Sequence, residues 1–289
     1  MLGVFAARRV RAILLTAVLV CLSALAAAPA PFAWKNVNIQ GMGYVSGLVI
    51  HPLPPYDIYI RTDVGGAYRY DRDAGRWLPL LDRYGTLQSE VIGVESIAVD
   101  PTDPNTVYLA ANFGPAVNNA TVAGEILVSH NRGLSWSPLG LAAQNVYMGP
   151  NDPYRGTAGE RLAVDPLQPG TIYFASRQNG LWRGTLKSPT AAQWTQVAGG
   201  LPSSVPAYQG ASVGMTFLVF DVSSNSEWFN GEAIYLGLYG TGVMVSTDGG
   251  ATWTDTKSKG SVNSYGDQPL RAGTLPVRDG CGYRDCGAA

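Results

Sequence analysis

Apolar and polar positions along this chain fall into short strand-length runs cut by glycine, proline and aspartate, and the runs recur. One series closes on Leu48-Val49-Ile50-His51-Pro52, Ile97-Ala98-Val99-Asp100-Pro101, Leu162-Ala163-Val164-Asp165-Pro166 and Leu218-Val219-Phe220-Asp221. A second run follows each, centred on Tyr59, Tyr108, Tyr173 and Tyr235. The gap from His or Asp to this tyrosine is eight residues in the first three copies and fourteen in the last, whose extra length falls in Ser223 to Gly231. Each unit closes on a tryptophan, Trp77, Trp136, Trp194 and Trp253, at spacings of 59, 58 and 59 residues. Units of this length, made of four short strands and glycine turns, cannot bury their faces alone and stack on their neighbours, which predicts an all-β fold of β-propeller blades. Helical solenoids are excluded, since no segment after the N-terminal stretch sustains a 3.6-residue period.

Two units carry a finer pattern, Ser129-His130-Asn131-Arg132-Gly133-Leu134-Ser135-Trp136 and Ser246-Thr247-Asp248-Gly249-Gly250-Ala251-Thr252-Trp253. Both resemble the Asp-box (BNR) repeat, in which the Asn or Asp side chain bonds backbone amides of the turn and glycine supplies a positive φ. These turns are expected to be structural and to join the third and fourth strands of their blades. The repeat covers 32–256, four blades of an incomplete seven-bladed propeller, arranged as an open arc with apolar faces exposed on the first and last. The divergent tail 257–289 loses the repeat.

Ahead of the repeat, Arg8, Arg9 and Arg11 precede an apolar run from Ala12 to Leu25 and the small residues Ala26-Ala27-Ala28-Pro29-Ala30. A run of about 14 residues is short for a bilayer span of about 20, so 1–30 reads as a secretory signal peptide. The expected location is extracellular, with no membrane association after cleavage. Cleavage would remove Cys21 and leave Cys281 and Cys286, whose spacing is no metal motif and which could form a short-loop disulfide. Asn119-Ala120-Thr121 is a lone glycosylation sequon. A net charge of −1 with 14% charged residues offers no basic stripe for nucleic acid and favours a neutral partner.

In a propeller the innermost strand of each blade runs from one rim to the other, so the turn joining strands two and three returns to the starting rim. That rim receives the residues four positions beyond each second-strand tyrosine, Asp63, Asn112, Arg177 and Tyr239. It also receives the entrances of the inner strands, among them Glu95 and the pair Glu160-Arg161. Glu95, Asn112, Glu160, Arg161, Arg177 and Tyr239 are candidate substrate contacts, while Trp136 and Trp253 belong to the opposite rim. No metal or cofactor is expected.

The segment Arg61-Thr62-Asp63-Val64-Gly65-Gly66-Ala67-Tyr68-Arg69 closely resembles the one carrying the catalytic base in glycoside hydrolase family 74. Trp34-Lys35-Asn36-Val37, Gly93-Val94-Glu95-Ser96-Ile97-Ala98-Val99-Asp100-Pro101 and Gly159-Glu160-Arg161-Leu162-Ala163-Val164-Asp165-Pro166 extend the likeness. The resemblance implies a secreted xyloglucanase, cutting the β-1,4-glucan backbone of a plant cell-wall polysaccharide, xyloglucan or a related β-glucan, with inversion. It makes Asp63 the general base. Inversion needs a second, protonated carboxyl about 6.5–9.5 Å away. In the family that acid lies in a second seven-bladed propeller, which this chain lacks, so an inactive or weakly active truncated product is expected. A natural four-bladed form is the alternative. Two other readings are a non-catalytic Asp-box propeller of the sortilin type, whose cysteine-rich module is absent, and a sialidase, for which Arg61, Arg161 and Arg177 are available but whose surrounding motifs fit less well.

Overall fold

The computed structural model describes residues 38–82, 92–113, 124–153, 158–201, 205, 213–221 and 233–256, without the side chains of 92 and 113. The signal segment 1–30, the Trp34–Val37 motif, the sequon at Asn119, the Ser223–Gly231 loop, Cys281, Cys286 and the tail 257–289 lie outside the described residues. Met1–Asn38 and Ile39–Ala289 are separate compact units, and the fold below is that of the second.

Four antiparallel four-stranded sheets follow one another along the chain. Sheet 1 is β1 (Val45–Ile50), β2 (Ile58–Thr62), β3 (Ala67–Asp71) and β4 (Arg76–Pro79); sheet 2 is β5 (Ile92–Val99), β6 (Val107–Phe113), β7 (Glu125–Ser129) and β8 (Ser137–Pro138). Sheet 3 is β9 (Leu162–Val164), β10 (Thr171–Ala175), β11 (Leu181–Ser188) and β12 (Ala191–Val197); sheet 4 is β13 (Met215–Asp221), β14 (Ala233–Leu238), β15 (Gly242–Ser246) and β16 (Thr254–Asp255). Strands within every sheet pair in sequence order. The four repeat tyrosines all fall on the second strands, as their spacing predicts.

Alternation of side chains across each pleat gives every sheet two apolar faces, and three cores form where consecutive sheets meet. Val49, Tyr59 and Leu80 of sheet 1 pack on Val94, Ile97 and Leu109 of sheet 2. Ala98, Tyr108 and Ile126 on the other face of sheet 2 meet Leu162, Ile172 and Phe174 of sheet 3. Ala163, Tyr173 and Ala175 of sheet 3 meet Leu218, Ile234 and Leu236 of sheet 4. Tryptophan side chains stitch two of these interfaces. The Trp136 indole donates to the Leu80 carbonyl of sheet 1 at 2.9 Å, and that of Trp194 to the Leu139 carbonyl of sheet 2 at 3.0 Å.

Antiparallel register sorts the turns between two rims. The end of β2, the start of β5 and the end of β6 share one rim, since Val45 pairs with Thr62 and Ile92 with Phe113. The turn after β7 lies on the other. There Asn131 Oδ1 accepts from the Ser135 amide at 2.9 Å, and Asp248 Oδ1 of sheet 4 accepts from the Thr252 amide at 2.8 Å. Asp248 is held at about pKa 2 chiefly by its hydrogen bonds from Thr252. On this rim Arg132 clamps Asp57 of sheet 1 through two hydrogen bonds, Nη2 to Oδ1 at 2.6 Å and Nε to Oδ2 at 2.5 Å.

Candidate active site

Inner strands β1, β5 and β13 each carry a β-bulge near their start, at Ser46, Glu95 and Thr216. A bulge inserts one unpaired residue and re-aims its side chain. Ser46, Glu95, Glu160 and Thr216 occupy the same repeat position, two residues before Leu48, Ile97, Leu162 and Leu218. The strands therefore deliver these four side chains at one level of the unit, beneath the rim that carries Asp63.

Two of the four are carboxylates, and each is met by arginine. Glu95 Oε1 takes the Nε of Arg161 and the Nε of Arg177, both at 2.8 Å, while Oε2 accepts from the Gly149 amide at 3.0 Å. Burial on its own would raise the Glu95 carboxyl. The charges of Arg177, then Arg161 and Arg61, outweigh it and hold the group below the ordinary carboxylate range. Arg161 is fully buried. Its Nη2 donates to the Val213 carbonyl at 3.1 Å, but its Nε contact with Glu95 is an ion pair without hydrogen-bond alignment, and Nη1 has no acceptor among the described residues. Burial and the neighbouring Arg177 lower its proton affinity, yet a guanidinium remains charged at neutral pH.

Glu160 links three sheets. Its Oε1 lies 2.9 Å from Arg61 Nε of sheet 1, and its Oε2 accepts from Ser96 Oγ at 2.6 Å and the Ile97 amide at 2.8 Å of sheet 2. Ser96 Oγ in turn accepts from the amides of Arg161 and Leu162. Arg61 spends Nη1 on Ser46 Oγ at 2.8 Å.

Asp63 sits immediately beyond β2, two residues past Arg61. It is 4% exposed, and its Oδ1 accepts from the Tyr44 amide at 2.7 Å while its own amide donates to the Tyr44 carbonyl at 3.2 Å. The turn behind it is closed by Thr62 Oγ1, which accepts from the Gly65 amide and donates to the Gly66 carbonyl. Gly66 has φ of +81°, a conformation that favours glycine. Inner strand β5 passes so close that a Cβ at Gly93 would run into the Asp63 carbonyl and the Pro150 ring.

The sequence-derived residues thus share one level of the unit, but most are turned inward. Glu95, Arg161 and Arg177, expected as substrate contacts, are buried and paired with one another, because the bulge aims Glu95 between the sheets. Glu160 is partly exposed and faces Arg61 and Ser96. Asn112 Nδ2 holds the Met148 carbonyl at 2.9 Å, and the Tyr239 amide donates to the Gly214 carbonyl at 3.0 Å. Sequence reasoning missed Ser96 as the junction of the network, and the segment Asn145–Asp152. That segment is tied down by Glu95, Asn112 and Asn179, with the Tyr147 hydroxyl donating to Asp152 at 2.7 Å. A lone serine within an apolar strand, three positions before the Val99-Asp100-Pro101 strand end, is the signal that marked the junction.

Four antiparallel four-stranded sheets packed one on the next define an all-β protein of the β-propeller class. The solved enzyme of family GH74 from Niastella koreensis is 36% identical, with a TM-score of 0.62 over 77% of this chain and 31% of its own. The family GH74 xyloglucanase of Xanthomonas campestris is 32% identical, with a TM-score of 0.60 over 80% of this chain and 33% of its own. Among curated proteins, a probable oligoxyloglucan-reducing end-specific xyloglucanase of Neosartorya fischeri is 35% identical over 89% of this chain and 30% of its own length. A xyloglucanase of Acetivibrio thermocellus is 38% identical over 80% of the chain and 28% of its own length. No family model matches the chain. The chain belongs to glycoside hydrolase family 74, and the matched stretch corresponds to the N-terminal part of those enzymes. It spans less than a third of the length of these curated relatives.

Proposed function

We propose that this chain is the N-terminal part of a secreted, xyloglucan-degrading glycoside hydrolase in which Asp63 is the general base of an inverting cleavage. The observation that carries the reading is the position of Asp63. It is a carboxylate held by a backbone amide at the rim of a sheet stack whose relatives are named xyloglucanases. A base for this chemistry has to be ionised and fixed in direction so that it can take a proton from one water. The Tyr44 amide fixes the direction of the carboxylate. The partner acid has to be protonated at the start of the reaction. Glu95 is unsuited to that role, because its arginines favour the ionised form.

The acid is assigned to sequence beyond the matched third, and the chain alone therefore acts on its substrate as a half-site. Loss of general-acid help is worth about 10²–10⁴ in rate, and half of the clamping surface is missing with it. Incubating the chain with xyloglucan is expected to release reducing ends at a rate near the background, and Asp63→Asn is expected to leave that rate unchanged. Robust release abolished by Asp63→Asn would place the acid within this chain. Xyloglucan oligosaccharides are expected to perturb the amide resonances of 61–66 and 147–152 at millimolar concentration, in the chain and in its Asp63→Asn variant. No perturbation by any of them, with perturbation by another glycan, would overturn the substrate. The secretory reading is checked by the N-terminal mass of protein recovered from the medium, expected to begin near Ala28 or Ala30.

A further inference from the structure

Arg161 is among the largest side chains that the described unit buries completely, and part of its guanidinium is left over. Nη2 donates to the Val213 carbonyl at 3.1 Å, Nε lies 2.8 Å from Glu95 Oε1 without hydrogen-bond alignment, and Nη1 has no acceptor among the described residues. The carboxylate beside it is already engaged. Glu95 Oε1 takes an aligned bond from Arg177 Nε at 2.8 Å, and Oε2 takes the Gly149 amide at 3.0 Å. Glu160, the other carboxylate at this level, is held by Arg61 Nε at 2.9 Å, Ser96 Oγ at 2.6 Å and the Ile97 amide at 2.8 Å. Arg161 therefore shares a counter-charge and has none of its own.

The direction of the unsatisfied group matters. In a guanidinium, Nη1 stands on the side away from the Nε hydrogen, so its two donors point away from Glu95. The surroundings of Arg161 are internal to the sheets described above: Glu95 comes from sheet 2, Arg177 follows β10 of sheet 3 and Val213 leads into β13 of sheet 4. A guanidinium stays charged at this depth, and a buried charge needs both hydrogen-bond acceptors and a counter-charge. A neutral acceptor at Nη1 would supply only the first.

We propose that Arg161 Nη1 binds a small monovalent anion of the halide class, chloride in ordinary buffers, as the counter-ion that the shared Glu95 cannot provide. Burial sets the size. A donor closed off from solvent is reached through local opening of the sheets, which admits a monatomic ion and not an acid group carried on a larger molecule. The ion also bears on the rim above. Glu95 holds the Gly149 amide, and the next residue, Pro150, packs against Gly93 beside the Asp63 carbonyl. Balancing Arg161 from its far side leaves Glu95 to Arg177 and Gly149.

The test is the denaturation midpoint of the chain as chloride replaces gluconate at fixed ionic strength, together with the anomalous scattering of crystals soaked in bromide. An ion that binds only the folded chain stabilises it by mass action, so above saturation each ten-fold rise in chloride is expected to raise the folding equilibrium constant by about ten-fold. Bromide is expected to replace chloride and to give a peak in contact with Arg161 Nη1. Arg161→Met removes the cation, leaves Glu95 to Arg177, and is expected to give a midpoint that does not respond to chloride. The bromide peak needs no variant, so the proposal stays open to refutation even where Arg161→Met does not fold. A wild-type midpoint indifferent to chloride, with no peak at Nη1, would mean that a neutral acceptor completes the guanidinium and would overturn the proposal. A chloride response that persists in Arg161→Met, or a peak elsewhere, would assign the effect to another site and equally defeat it. A peak at Nη1 without any stabilisation would show an adventitious ion only, and the counter-ion role would fall.

Discussion

Glu95 is one carboxylate set against two guanidiniums, and the balance makes it the most sensitive charged position among the described residues. Removing one member of a buried ion pair leaves the others uncompensated and costs about 3–5 kcal/mol. Glu95→Gln is expected to lose an amount of this order in chemical denaturation, because Arg161 and Arg177 would remain inside. The pH dependence follows from the direction of the shift. Folding lowers the Glu95 carboxyl below its ordinary value of 4.5. Its contribution is therefore fully present above that value and lost as pH falls through the folded one. The wild-type chain is expected to lose stability steeply on the acid limb, and the glutamine variant to lose less there from its lower starting point; parallel acid limbs would remove Glu95 from the account. The role of this residue was only half legible in the sequence. A glutamate at the entrance of an apolar strand is visible as an anomaly. That it is unpaired in the ladder and aimed inward depends on a bulge, and nothing in local propensity distinguishes Gly93-Val94-Glu95-Ser96 with a bulge from the same residues in regular register.

The elements themselves were legible because each is a short apolar run between strong turn residues, repeated four times with one phase. The tyrosines at the second strands and the tryptophans at or just before the fourth confirm that phase. The loops were less so. Asn145–Asp152 has no periodicity, and its conformation is imposed by three side chains of two sheets, Glu95, Asn112 and Asn179, that are distant in sequence. Gly93 shows the same dependence from the other side. It looks like an ordinary strand glycine, yet it is required because the Asp63 backbone and Pro150 occupy the space its Cβ would need. Overfilling a packed site typically costs about 1–3 kcal/mol. Gly93→Ala is expected to destabilise within that range and to shift the Asp63 carboxylate carbon resonance, as the turn after β2 is pushed outward. An unchanged resonance with an unchanged denaturation midpoint would show that β5 and the Asp63 turn do not constrain each other.

At the level of the whole described unit, stability in a series of stacked sheets is close to a sum of nearest-neighbour interfaces, so a residue's worth depends on whether its sheet has a neighbour on that side. The repeat supplies a controlled comparison, because Leu48, Leu162 and Leu218 are the same residue at the same strand position and differ only in cover. Truncating a buried leucine to alanine removes transfer energy and leaves a cavity, for about 2–5 kcal/mol, whereas exposed substitutions usually fall within about 0.5 kcal/mol. Leu162→Ala and Leu218→Ala are expected to show the full loss in equilibrium denaturation, and Leu48→Ala almost none when measured in dilute solution. A loss at Leu48 as large as at the two covered positions would mean that its face is filled within the chain, and the equivalence of the four sheets, rather than their number, would have to be reconsidered.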